Sequence, residues 1–154
     1  MRSLSAGILL YRRRGEGIEV LLIRPGGPFW RNRDSGAWMI PKGGIEEGEQ
    51  SLACALREFE EELGTKPQGE PWPLARIRQS GGKVVEAFAL EGDLDPDAIV
   101  SNSFSVEYPP RSGRFQSFPE VEEAAWFPIP EARAKMLPSQ LPLIHALEAA
   151  LAGG

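Results

Sequence analysis

The chain has 154 residues, enough for one compact domain with a single buried core. Hydrophobic residues make up 42% and charged residues 25%, and the longest apolar stretches are too short to span a bilayer. The formal net charge of −5 argues against a general nucleic-acid surface, which is normally basic. The single cysteine, Cys54, cannot form an internal disulfide, and no signal-peptide pattern begins the chain. We expect a cytoplasmic protein, monomeric or homodimeric, without nucleic-acid or membrane partners.

The first third of the chain predicts two strands and a long loop. Residues 5–12 and 18–23 are predicted as strands joined by the arginine-rich turn 12–17. The following segment, 24–36, is longer than an ordinary connection, which is typical of a functional or mobile loop. It contains Phe29 and Trp30, an aromatic pair that could stack on a nucleobase or fix the loop to the core. Residues 37–40 are predicted as a short strand.

A glycine-rich loop at 42–49 precedes the clearest helix of the chain, predicted at 51–63. Ser51 is the candidate N-cap, and Gly64 ends the pattern as a C-terminal glycine does. Apolar residues recur at helical spacing through this segment, at Leu52, Ala55, Leu56, Phe59 and Leu63.

The rest of the chain alternates strands, turns and helices. Strands are predicted at 74–79, 84–90, 103–108 and 124–127. The remaining segments are predicted as the linker 67–73, the loop 109–119 and the helices 131–136 and 141–151. With no internal repeat and no second-domain boundary, the sequence predicts one α/β domain over residues 1–154.

Three carboxylates share one face of the predicted helix 51–63. Glu58, Glu61 and Glu62 lie at positions i, i+3 and i+4, and we expect them on the side opposite the apolar residues. Their mutual repulsion would be relieved by a divalent cation, and carboxylate oxygens suit Mg²⁺ or Mn²⁺. A motif of this kind on its own is more often a solvated acidic face, so its meaning depends on its neighbours.

The neighbouring residues favour the metal site. At Gly43 a backbone carbonyl could approach a cation without interference from a Cβ. Arg57 offers a planar fork that could hold another carboxylate, such as Glu49. Lys42, just before the glycine-rich loop, is a candidate phosphate ligand.

The spacing of these residues from Gly43 to Thr65 resembles the Nudix box, and the chain is similar to Nudix hydrolases. Phe59 and Thr65 depart from the usual aliphatic residues, but only at packing positions. The resemblance implies a Nudix-type α/β/α sandwich around a mixed β-sheet and hydrolysis of a nucleoside diphosphate linked to a further group.

Position by position, the resemblance also implies roles for single residues. Glu58, Glu61 and Glu62 would be metal ligands together with the Gly43 carbonyl. Arg57 with Glu49 would orient the loop and the helix that Gly64 ends.

Further site residues are expected outside the box. Such sites often gain a carboxylate six residues ahead of a tryptophan, and Trp126 points back to Glu120. Glu122 and Glu123 in the same loop are alternatives to Glu120. Arg111 and Arg114 in the loop 109–119 are candidate phosphate ligands or solvated arginines.

The substrate is less well defined by sequence. Subgroup markers for ADP-ribose and diadenosine polyphosphates, a proline near position 80 and a tyrosine near position 82, are replaced by Ser80 and Gly82. Segments 26–30 and 109–114 look similar to a bacterial subgroup of predicted NTP pyrophosphohydrolases. We expect a nucleoside or dinucleoside polyphosphate as the small-molecule substrate. The alternatives are another nucleoside diphosphate derivative of the nucleotide-sugar type, a nucleotide-binding module without turnover, or an isomerase on the same fold.

Overall fold

The computed structural model describes residues 4–153, so residues 1–3 and 154 of the predicted domain lie outside the described residues. Eight strands and three α-helices follow one another along the described residues. The strands are β1 (Leu4–Arg14), β2 (Gly17–Pro25), β3 (Lys42–Gly44), β4 (Trp72–Arg78), β5 (Val84–Glu91), β6 (Ser103–Glu107), β7 (Phe115–Pro119) and β8 (Val121–Pro128). The helices are α1 (Ser51–Leu63), α2 (Ile129–Lys135) and α3 (Leu141–Ala152). No helix in the described part of the chain is both long and apolar enough to cross a membrane.

The central sheet is mixed. Its strands lie in the order β4-β5-β1-β2-β8, and β3 pairs with the first half of β1. Strands β1 and β5 are parallel, whereas the other pairs are antiparallel. Residues 6–11 of β1 are all buried. Since successive side chains of a strand point to opposite sides of the sheet, β1 is buried on both faces.

Helices cover both faces of this sheet. On one face, α1 packs on the even-numbered residues of β1 through Cys54, Ala55, Phe59 and Leu63. On the other face, α2 and α3 belong to the core cluster that contains the odd-numbered residues of β1, through Ala132, Leu143, Ile144 and Leu147. The predicted α/β/α sandwich around a mixed sheet is therefore confirmed.

Helix α1 has the predicted bounds but not the predicted orientation. Its buried residues include Glu62, which is only 9% exposed, while Leu52 is 36% exposed. The expectation that Glu62 lies opposite the packed face is therefore wrong. The helix is rotated so that Glu62 lies at the boundary between the packed face and β3. Ser51 is also not the N-cap, because Gln50 holds that position and no side chain caps the helix.

Several strand predictions need correction. Residues 37–40 form only isolated bridges, Met39 with Ile23 and Trp38 with Met136. Residues 42–44, predicted as loop, pair with β1 as β3. Residues 115–119, also predicted as loop, form β7 and pair with β6 in a separate two-stranded sheet. In each case a long-range partner decided the conformation, which local pattern does not reveal.

Candidate active site

Strand β3 brings a glycine directly onto a helix carboxylate. Gly43 pairs with Ala6 of β1, and a Cβ built on Gly43 would lie 2.0–2.3 Å from the Glu58 carboxyl group. A larger residue at position 43 would therefore displace the Glu58 carboxyl group from this position. The Cys54 thiol lies 3.4 Å from the carbonyl oxygens of both Gly43 and Gly44. Burial is the largest influence on the Cys54 thiol and raises its pKa to about 11. The thiol therefore stays protonated and can donate to these two carbonyl oxygens.

Arg57 joins the glycine-rich loop to α1. Its Nε and Nη2 donate to the two oxygens of Glu49 at 2.8 and 2.9 Å, which is the bidentate contact expected from the sequence. Its Nη1 donates to Glu58 at 2.9 Å and lies 3.3 Å from Glu61. Hydrogen bonding from Arg57 is the main reason that the pKa of Glu49 falls to about 2, so Glu49 remains ionised at neutral pH. One guanidinium thus fixes the loop against the acidic face of the helix.

Glu62 is a buried carboxylate without a full set of partners. Within the described residues, its Oε2 is buried and accepts no hydrogen bond. Burial, followed by the charge of Glu58, raises the pKa of Glu62 to about 8. Burial is also the main reason that the pKa of Glu58 is raised. A buried, unsatisfied carboxylate oxygen is costly unless a cation or a donor reaches it.

Glu120 is the loop carboxylate that comes to these helix acids. Its charge raises the pKa values of Glu58 and Glu62, and burial followed by the charge of Glu61 raises its own. Glu123 instead pairs with Arg24 at 3.4 Å, and Glu122 lines a separate cavity. Of the three candidates, only Glu120 is thus electrostatically coupled to the helix carboxylates.

Asn102 fixes the position of Glu120, and sequence reasoning missed it. The Asn102 N–H donates to the Glu61 carbonyl at 3.3 Å, and its own carbonyl accepts from the Glu120 N–H at 2.7 Å. The Glu120 carbonyl accepts from Gly26 at 3.2 Å. These are backbone contacts that do not depend on side-chain identity, so no motif could have indicated them.

Lys42, at the start of β3, also faces the carboxylates. Burial lowers its pKa, while the charges of Glu62 and Glu58 act in the opposite direction. Lys83 lies close enough to lower the pKa of Lys42 further. Lys42 is therefore a partly desolvated cation beside Glu58, Glu61 and Glu62, the acidic cluster of α1.

The other candidate substrate ligands lie farther out. Arg111 and Arg114 are exposed in the turn between β6 and β7, and the five residues of β6 span roughly 16 Å between that turn and Asn102. Trp30 is half-buried and packs edge-on to Phe29, with ring centroids 5.3 Å apart. Phe29 is 65% exposed and neither ring belongs to the two core clusters, so fixing the loop to the core is the weaker interpretation.

Gly64 ends α1 as predicted. It adopts a left-handed conformation with φ of 78°, and its N–H donates to the Glu60 carbonyl. A Cβ here would lie 2.5 Å from the Val100 carbonyl, so glycine also allows the following chain to pack on the helix end.

The donor set fits a hard divalent cation in chemistry. Glutamate oxygens and the backbone carbonyl of Gly43 are suitable ligands, and the Glu62 oxygen lacks a partner. As the side chains stand, residues 4–153 contain no group of three His, Cys, Asp or Glu residues that converges on one point. Arg57 neutralises Glu58 and Glu61 in this arrangement, so both would exchange part of that contact for a cation.

Comparison with known proteins gives the family. A sequence model described as "NUDIX domain" matches residues 1–147. An octanoyltransferase of Myxococcus xanthus is 29% identical over 136 residues, covering 88% of this chain and 33% of that protein. An RNA pyrophosphohydrolase of Rhodospirillum rubrum is 44% identical over 66 residues, covering 41% of this chain and 38% of that protein. The chain thus spans about a third of the length of these curated relatives.

Solved structures agree on the fold. The binary complex of a C. elegans Ap4A hydrolase has a TM-score of 0.66 at 22% identity, covering 97% of this chain and 99% of that one. The NUDIX domain of Shewanella oneidensis NrtR, solved with ADP ribose, has a TM-score of 0.67 at 18% identity, covering 98% and 89%. Because the family model matches residues 1–147 of the 154, and the structure brings the glycine, arginine and glutamates of the motif together at α1, this chain belongs to the Nudix family.

Proposed function

We propose that this chain is a divalent-metal-dependent hydrolase that cleaves a phosphoanhydride bond in a nucleoside or dinucleoside polyphosphate. The observation that carries the proposal is the buried, unpartnered Oε2 of Glu62 beside Glu58. Retaining such a group costs stability, and a cation site accounts for it. The names of two similar proteins, RNA pyrophosphohydrolase and Ap4A hydrolase, support a polyphosphate substrate.

The helix acids would hold the cation, Mg²⁺ or Mn²⁺. Glu58, Glu61 and Glu62 supply carboxylate oxygens, and Gly43 supplies its carbonyl. The bound cation would polarise the phosphoryl oxygens and lower the pKa of a nearby water. Arg57 contacts no substrate in this scheme; it keeps the loop and the helix in register through Glu49.

Glu120 is the proposed general base. Its raised pKa and its position next to the helix acids suit a group that accepts a proton from the attacking water. The water oxygen forms the new bond to phosphorus as the bond to the bridging oxygen breaks in line. Lys42, which faces the same acids, would neutralise the charge that develops on the phosphate oxygens.

More distant residues would contact the rest of the substrate. We propose that Trp30 packs on the nucleoside and that Arg111 and Arg114 reach the outer phosphates. We also propose a cytoplasmic location and a monomer or homodimer.

A second candidate is a nucleotide-binding module without turnover. The observation that favours it is the NrtR NUDIX domain, which was solved with ADP ribose. The complete set of Glu58, Glu61, Glu62 and Arg57 favours the hydrolase, because a binding module does not require every catalytic position. A nucleotide-sugar type substrate would leave the same residues in the same roles.

A hydrolysis screen that detects the release of phosphate, pyrophosphate and product nucleotides tests the proposal. Purified protein is incubated with nucleoside triphosphates, dinucleoside polyphosphates and nucleotide sugars in Mg²⁺, in Mn²⁺ and in EDTA. We expect release from polyphosphates in either metal and none in EDTA, with recovery when metal is restored. Full turnover in chelator, or nucleotide binding without release from any compound, would reject the hydrolase.

A further inference from the structure

A polar cavity of about 350 Å³ adjoins Glu120 outside the acidic cluster. Phe118 and Glu122, which line it, flank Glu120 in the sequence, two residues away on either side. Its other wall comes from Arg24 near the end of β2 and from the loop after β2, which contributes Arg31. That loop is held close by the hydrogen bond from the Gly26 N–H to the Glu120 carbonyl at 3.2 Å. The cavity therefore adjoins the backbone of the residue that carries the proposed general base.

One wall of the cavity is aromatic. The Arg31 guanidinium lies 5.9 Å from the ring centroid of Phe118, and Phe104 packs against that ring with centroids 6.2 Å apart. Gly27 has φ of 103°, and a Cβ there would lie 3.0 Å from Phe104. The loop thus lies tightly on a small aromatic cluster. Planar heterocycles stack on such a ring or beneath a guanidinium.

The polar side chains around the cavity, those of Arg24, Arg31, Asn32 and Glu122, include both donors and acceptors. Among residues 4–153, the Glu122 carboxylate and the Arg31 guanidinium form no hydrogen bond or ion pair, whereas the neighbouring Glu123 pairs with Arg24. A site for phosphate alone would favour cations, and a carboxylate in its wall would repel the ligand. The combination of an aromatic face, a carboxylate and a guanidinium instead matches the edge of a nucleobase.

We propose that this cavity is a nucleobase pocket that prefers guanine to adenine. The proposal rests on the proposed function, in which the chain acts on nucleotides. Guanine presents N1–H and its amino group to Glu122, and its O6 and N7 accept from Arg31. Adenine presents a lone pair at N1, which the carboxylate repels. Trp30 does not line this cavity, so a base bound here leaves Trp30 the sugar or the second nucleoside of a dinucleoside polyphosphate to contact.

Binding of nucleoside monophosphates tests the pocket, because they contain no phosphoanhydride bond to cleave. We would measure Kd by calorimetry for GMP, AMP and inorganic phosphate in Mg²⁺. GMP should bind about tenfold more tightly than AMP, at the lower end of the range for a bidentate base contact because Glu122 is exposed. Inorganic phosphate should bind more weakly than GMP.

Matched variants locate the selectivity. Glu122→Gln should reduce GMP affinity to that of AMP, and Arg31→Ala should weaken GMP more than AMP. Both residues are exposed, so folding is expected to survive. Glu131→Gln, on the surface of α2, is the control and should keep the wild-type preference. Equal binding of GMP and AMP, a preference that persists in Glu122→Gln, or GMP binding no tighter than phosphate would overturn the proposal.

Hydrolysis of GTP and ATP by the same preparations separates the pocket from the proposed function. Guanine-selective binding without hydrolysis of these nucleotides or of any other compound in the screen would reject the hydrolase and leave the pocket. Hydrolysis of both nucleotides with equal affinity for GMP and AMP would reject the pocket and leave the hydrolase.

Discussion

Replacing Glu62 with glutamine should stabilise the metal-free protein at pH 8 while removing activity. In the folded protein the Glu62 carboxyl group has a pKa of about 8, whereas in the unfolded chain it loses its proton near the ordinary pKa of 4.5. In chelator, the Glu62 contribution therefore lowers native stability as pH rises between those two values. A neutral glutamine avoids the cost of a buried, unpartnered charge.

The size of the effect follows from the shift. Each pKa unit corresponds to about 1.4 kcal/mol, so the full shift sets an upper bound on the order of 4–5 kcal/mol above pH 8. At pH 5 the same calculation gives a destabilisation by Glu62 of only about 1 kcal/mol. Lys42 compensates part of the charge, so we expect Glu62→Gln to raise the free energy of unfolding by about 2–4 kcal/mol at pH 8.

Urea unfolding in EDTA at pH 5 and pH 8 measures this gain. Glu60→Gln is the matched control, because Glu60 is exposed on the same helix and should change stability little at either pH. In Mg²⁺, wild-type protein should gain thermal stability and Glu62→Gln should gain much less. Kinetically, Glu62→Gln should lower kcat by orders of magnitude and Glu60→Gln should stay within about threefold. A Glu62→Gln variant that is less stable than wild type at pH 8 in EDTA, or one that Mg²⁺ stabilises fully, would refute the reasoning.

The remaining predictions concern single residues. Glu120→Gln should lower kcat about 100-fold or more with KM little changed, as expected for loss of a general base, and an unaffected kcat would remove Glu120 from that role. Trp30→Ala should raise KM by an amount corresponding to roughly 1–3 kcal/mol of stacking, and a wild-type KM would mean that Trp30 only packs within its loop. Arg57→Lys should lower kcat/KM about 10- to 100-fold, since an ammonium group cannot hold Glu49 in a bidentate contact, and a titration of Glu49 should show its pKa rising toward the ordinary value. Retention of both wild-type values would show that the fork geometry is dispensable.

The sequence by itself determined the parts of this protein that depend on local spacing. Helix α1 has its predicted bounds because apolar residues recur at the helical period and Gly64 accepts a left-handed conformation. The contact between Arg57 and Glu49 was also expected, because the planar guanidinium can hold a carboxylate through two hydrogen bonds and the resemblance implies this pairing. The mixed sheet followed from apolar strands covered by amphipathic helices.

Only the tertiary structure decided which carboxylates are buried and which loop reaches them. Helical periodicity places Glu62 near Glu58, but the packing of α1 against the sheet sets the rotation that buries Glu62. The spacing from Trp126 pointed to Glu120 but left Glu122 and Glu123 as alternatives in the same loop. Backbone hydrogen bonds through Asn102 bring Glu120 to the helix. The pairing of residues 115–119 with β6 likewise depends on a partner strand and not on local pattern. Contacts between distant backbone groups carry no signature in side-chain identity, so sequence alone could not specify them.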